Sequence, residues 1–136
     1  MLKRQNLEYE LCKALAQYLR MHKDKPIYHY DLSGLNLSMA QAGMSKVIQG
    51  GRGWCDLFIA EARKDINNFI YHGLFIEIKK TGTRIHKMNG ECTTPHIAEQ
   101  KEMMLRLRAK GYFADFGIGF DDCKRLIDNY FELDKL

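Results

Sequence analysis

An α/β sandwich, with helices covering a mixed sheet, is the fold class this sequence predicts. Three observations carry it. Residues 7–19 and 123–131 repeat apolar side chains at helical spacing; residues 54–60 and 69–79 are β-branched and aromatic; and a helix followed by a strand fits residues 95–118. A chain of 136 residues has room for one domain, 1–136, that buries roughly two thirds of its unfolded surface without cross-links.

The elements follow in order. Apolar side chains at Leu7, Leu11, Cys12, Ala14, Leu15, Tyr18 and Leu19 predict a helix over about 5–22. A short extended piece follows Pro26 at Ile27, Tyr28 and Tyr30, and Ser38 is placed to cap a small helix ending near Gly50. The cluster Gly50, Gly51, Gly53 breaks the chain before a short strand, 54–60. A polar turn, 61–68, leads to a longer strand, 69–79, and the two strands form a hairpin. After a loop over 80–94, Pro95 opens a helix to Lys110 that Gly111 stops; 112–118 is a third strand. Asp121 and Asp122 favour the start of a last helix striped by Cys123, Leu126, Ile127, Tyr130 and Phe131.

Composition excludes several classes. The chain is 46% hydrophobic with 15 aromatic residues, which argues against disorder. No apolar run is long enough for a membrane helix, and Lys3, Arg4, Glu8 and Glu10 interrupt any secretion signal, so the cytosol is the expected compartment. Four cysteines without a CxxC pair read as reduced packing residues, and five histidines show no metal-binding spacing; His86 and His96 flank a basic loop where they can touch nucleic acid. The net charge is +4, and it is unevenly spread. Residues 79–110 carry eight bases against three acids, whereas 111–136 carry six acids against three bases. The basic stretch is where a polyanion would bind, although a solvated helix face gives the same pattern.

Charged residues on faces that ought to be apolar are the informative ones, because burial there is costly without a partner or a task. In the strand ending at Lys79, period two places Leu74, Ile76 and Ile78 on one face and Phe75, Glu77 and Lys79 on the other. Asp56 shares a face with Trp54 and Phe58, so pairing of the two strands brings it to Glu77. Two carboxylates beside an ammonium can hold a hard divalent cation and steady charge at a phosphate, although a cross-strand ion pair on a wet face has the same spacing. On the first helix Glu8 lies at the edge of the apolar stripe, where a rim carboxylate at a frayed end is the alternative. Gln100 interrupts the stripe of Ile97, Met104 and Leu107, as either a site residue or a core amide bonded to backbone.

Taken together, these residues resemble the virus-type replication-repair nuclease (VRR-NUC) domains of the PD-(D/E)xK superfamily, which share a restriction-endonuclease-like fold. The matching stretches are Glu8 with Leu11 to Leu15, Gly51 to Phe58, Gly73 to Lys79, Glu99-Gln100, and Lys110 to Ala114. The resemblance implies an α-β-β-α-β-α core with Asp56, Glu77, the Ile78 carbonyl and Glu8 as metal ligands. It implies Lys79 as the catalytic lysine, Gln100 as the helix glutamine that joins Glu8, Asp56 and Glu77 in the catalytic set, and Mg²⁺ or Mn²⁺ as cofactor without an organic one. Where the family has proline before the aspartate, Cys55 stands here.

The reading is a metal-dependent DNA endonuclease. Small stand-alone members resemble phage proteins, which would place the chain in a host cytoplasm as a homodimer acting on duplex or branched DNA such as four-way junctions. Arg52, Lys80, Arg84 and Lys87 are the expected phosphate contacts, with simple solubility as their alternative role. A non-catalytic nucleic-acid-binding module of the same fold is the competing reading, and the intact Asp56, Glu77 and Lys79 argue against it.

Overall fold

The computed structural model describes residues 2–31 and 38–136, with side chains from Glu8 onward in the first helix. Leu7, expected to open the apolar stripe, therefore lies outside the described side chains. Among the described residues, four helices and seven strands follow one another as α1 (Leu2–Met21), β1 (Tyr28–Tyr30), α2 (Met39–Ile48), β2 (Leu57–Ile59), β3 (Arg63–Lys64), β4 (Ile70–Tyr71), β5 (Leu74–Lys79), α3 (Pro95–Ala109), β6 (Phe113–Ile118), α4 (Gly119–Phe131) and β7 (Asp134–Lys135).

The main sheet has the order β1-β2-β5-β6, with β1, β2 and β5 antiparallel and β6 parallel to β5. It is mixed because a parallel neighbour needs a crossover, and α3 supplies it between β5 and β6. One face of this sheet, Leu57, Ile59, Leu74, Ile76 and Ile78, packs on Leu15 and Leu19 of α1 and on the Cys123, Leu126, Ile127, Tyr130 and Phe131 stripe of α4. The opposite face, Phe75 and Ala114, packs with Cys55 beneath Met103, Met104 and Leu107 of α3. Two helices therefore cover one side and one covers the other, and the β5 alternation read from sequence is the alternation between the two cores.

The ends of the helices form as their residues dictate. Ser38 caps α2 in a reciprocal box with Gln41, and Thr94 caps α3 with Pro95 in its first turn. Gly111, at a φ of 92°, supplies the left-handed turn between α3 and β6. The helix α2 buries none of its residues.

The middle of the chain departs from expectation. The strand expected over 54–60 spans only 57–59, because Trp54 and Cys55 both turn toward the α3 side and break the alternation. The long strand expected over 69–79 is cut at His72–Gly73. There the His72 N–H leaves the ladder for the Gly111 carbonyl, and a Cβ on Gly73 would come within 2.7 Å of the Phe58 ring. The expected turn over 61–68 contains β3, which joins β4 and β7 in a second sheet of order β4-β3-β7. Arg63 secures it: buried, it donates to the carbonyls of Phe131 and Leu133 at 3.1 and 2.9 Å and to Glu61 at 2.8 Å.

Candidate active site

The site forms where β2 ends and β5 continues. The antiparallel register opposes Leu57 to Ile76, so Asp56, one residue before β2, falls beside Glu77 and Ile78. Its backbone carbonyl is held by the Asp31 N–H at 2.7 Å, and its Oδ2 accepts from the Ile78 N–H at 2.8 Å. A residue in a strand sends its N–H and C=O to the same edge, so the Ile78 carbonyl also leaves toward the Asp56 side, where β2 has stopped.

Glu77 is 3% exposed, and the register sets it beside Asp56. Its Oε1 accepts from Gln100 Nε2 at 2.7 Å and lies 3.6 Å from Lys79 Nζ. Burial, and then the neighbouring charge of Asp56, push the Glu77 carboxyl up to about 9. Asp56 is also raised, chiefly by burial, with the Ile78 hydrogen bond working against that shift. Two buried acids held this close favour a cation or a shared proton over two bare charges.

Four of the residues singled out in the sequence, Asp56, Glu77, Lys79 and Gln100, are thus brought together in space, with the Ile78 backbone among them. Glu8 stands exposed on α1, one turn before Cys12. The Cys12 thiol is pushed up to about 11 by burial and then by the charges of Asp56, Glu8 and Glu77. Among the described residues, no three His, Cys, Asp or Glu side chains gather tightly enough to hold an ion.

The donor set still fits a hard divalent cation. Two carboxylates and a backbone carbonyl suit an ion that keeps several of its waters, and Glu77 Oε2 is a buried oxygen with no hydrogen-bond partner. Cys55, which stands at the family's proline position, packs its thiol under α3 with Phe75 and Met104, and burial raises its pKa; it is a packing group.

Around this centre, Lys80 continues directly from Lys79. The loop beyond it is a small folded hairpin, with Thr83 bound to the Lys80 carbonyl, Thr93 to that of Ile85, and a bridge between His86 and Cys92. Arg84 and Lys87 are exposed on it. Arg52 lines a cleft of about 240 Å³ with Glu99, Glu102, Met103 and Arg106. One residue was read from the sequence only as able to touch nucleic acid and not as a neighbour of Gln100: His96 Nε2 lies 3.2 Å from Gln100 Nε2. The available signal was its i, i+4 spacing from Gln100 on one face of α3. His86 instead meets Lys101 at 2.9 Å.

Among solved structures, the chain is similar to a protein described as a "VRR_NUC domain protein", at 27% identity and a TM-score of 0.66, over 95% of this chain and 91% of that one. The fold is that of a VRR-NUC domain. No family model and no curated protein matches the sequence. The likeness runs over 95% of the chain, and the mixed sheet with its flanking helices is the architecture the motif residues led one to expect. Among the described residues, no helix is long and apolar enough to cross a membrane.

Proposed function

We propose that the protein is a Mg²⁺- or Mn²⁺-dependent DNA endonuclease that hydrolyses phosphodiester bonds, its activity carried by the single domain 1–136. The observation that carries this reading is the convergence of Asp56, Glu77 and Lys79 at one strand end beneath Gln100. Asp56, Glu77 and the Ile78 carbonyl would hold the cation, with Glu8 as the further carboxylate on the helix side. The cation supplies charge neutralisation at the phosphate and acidifies water. Lys79 brings a positive charge beside Glu77 that can orient the attacking water or steady negative charge growing on the phosphate oxygens. The Gln100 amide fixes one oxygen of Glu77 and leaves the other free.

The partner is DNA, duplex or branched, with the four-way junction as the structure-specific substrate to test. Lys80, Arg84 and Lys87 follow the catalytic strand as backbone contacts, and Arg52 is the contact from the glycine turn. A symmetric junction needs two cuts, so a C2 homodimer, working in a host cytoplasm, completes the reading.

The test is cleavage of labelled linear duplex, single-stranded, flap and four-way-junction DNA in Mg²⁺, Mn²⁺ or EDTA, with Glu77→Ala and Lys79→Ala beside the parent. Metal-dependent cutting lost in both variants is the expected result, and the preferred substrate sets the class. Binding without cutting in either metal would leave a nucleic-acid-binding module instead.

A further inference from the structure

We propose that His96 is a positioning residue for the nuclease site, setting the orientation of the Gln100 amide and through it the hydrogen bonding of Glu77. The inference rests on the nuclease reading for its kinetic consequence and on geometry alone for the contact itself.

The Gln100 amide nitrogen lies 2.7 Å from Glu77 Oε1 and 3.2 Å from His96 Nε2. An amide nitrogen only donates, so His96 must offer the lone pair of Nε2 and carry its proton on Nδ1. Both Gln100 N–H groups are then used, one on Glu77 and one on His96. The Gln100 Oε1 is left buried with no partner, as is the Glu77 Oε2. Each partner of this bond therefore keeps one acceptor free in the site, and an incoming water that donates to them would satisfy both.

Glu77 by itself does not fix this arrangement. The two ends of a glutamine amide have nearly the same shape, so a single contact at its nitrogen leaves the amide free to turn over. The imidazole adds a second anchor: with its proton on Nδ1, its Nε2 lone pair takes the second N–H and holds the amide nitrogen toward Glu77. His96 is itself exposed and Gln100 is buried, so the contact runs from the surface into the site.

The test compares His96→Ala, which removes the acceptor, with His96→Gln, which restores one at similar reach, and His96→Lys, which offers only donors. The first readout, on metal-free protein, is the ¹⁵N–¹H pair of the Gln100 side chain. In the parent and His96→Gln, both protons are expected shifted and protected from solvent exchange; in His96→Ala and His96→Lys, one proton is expected to lose its protection. The second readout is Mn²⁺-dependent cleavage, expected to fall about 10-fold in His96→Ala and His96→Lys and to recover in His96→Gln, at unchanged melting temperature. Gln100 signals unmoved in His96→Ala overturn the contact, and an unchanged rate overturns its role in the site. Should Glu77→Ala cut as well as the parent, the nuclease reading fails, while the amide signals still decide the contact.

Discussion

Glu77 is the residue at which folding and chemistry pull in opposite directions. A carboxyl buried by β5 and α3 beside a second acid holds its proton more tightly in the folded chain than in the unfolded one. Between its ordinary value near 4.5 and its raised value of about 9, the folded state binds more protons, so metal-free stability falls as pH rises through that window. Glu77→Gln removes the ionisation and keeps the shape. In EDTA at pH 7 this variant is expected to melt above the parent, on the order of 2 kcal/mol more stable, with the gain shrinking toward pH 4.5. Thermal scans across pH check it, and a parent as stable at pH 8 as at pH 5 would refute it. In cleavage assays the same substitution removes a proposed metal ligand and is expected to leave no detectable cutting. Lys79→Ala keeps both carboxylates, so its expected signature is different: Mn²⁺ still bound in calorimetry, with the rate down about 100-fold or more.

At the scale of elements, two contacts hold the site's frame from a distance. Gly53, at a φ of 79°, passes so close to α3 that an added Cβ would lie 2.6 Å from the Glu99 carbonyl oxygen. Gly53→Ala is strained on both counts and is expected to cost about 2 kcal/mol or more, read as a shifted urea midpoint. Arg63 ties β3 to the chain following α4 while buried, and Arg63→Met, which strands the Phe131 and Leu133 carbonyls, is expected to cost about 3 kcal/mol by the same measure. These two residues also mark where the sequence stops being legible. The α4 stripe and the β5 alternation were readable because each is a local period repeated over several residues, and Asp56 was readable because one register places it. Strands of two residues such as β3, β4 and β7 have no period to read, and Arg63 looks like a surface charge until residues some seventy positions away enclose it. The break at Gly73 depends on the Phe58 ring lying across it, which only the paired sheet reveals. His96 belongs to the same class: its partner was one helical turn away, but its importance depends on Gln100 already being bound to Glu77.

For the whole molecule, charge is sorted along the chain, and the fold keeps it sorted. The excess of bases over 79–110 falls on the loop leaving Lys79 and on the outer side of α3, whereas the acids of 111–136 lie largely on α4 and the chain after it. Part of the positive charge is internally matched: Arg108 meets Asp115, and Arg52 and Arg106 share their cleft with Glu99 and Glu102. Lys80, Arg84 and Lys87 lie on the loop that begins where β5 ends, and they are the proposed contacts for a phosphate backbone at the site. Counterion release gives this a number, since each phosphate neutralised contributes about 0.9 to the slope of log affinity against log salt. Replacing all three with alanine is expected to flatten that slope by about 2 to 3 for duplex and junction DNA alike, because backbone contacts carry no sequence or shape preference. Arg52→Ala, at the proposed contact from the glycine turn, is expected to flatten the slope by up to about one further unit. Fluorescence anisotropy in Ca²⁺ over a salt series measures both. A triple variant with the parent's slope would move the DNA path off the hairpin, and an Arg52→Ala slope equal to the parent's would remove the glycine turn from that path.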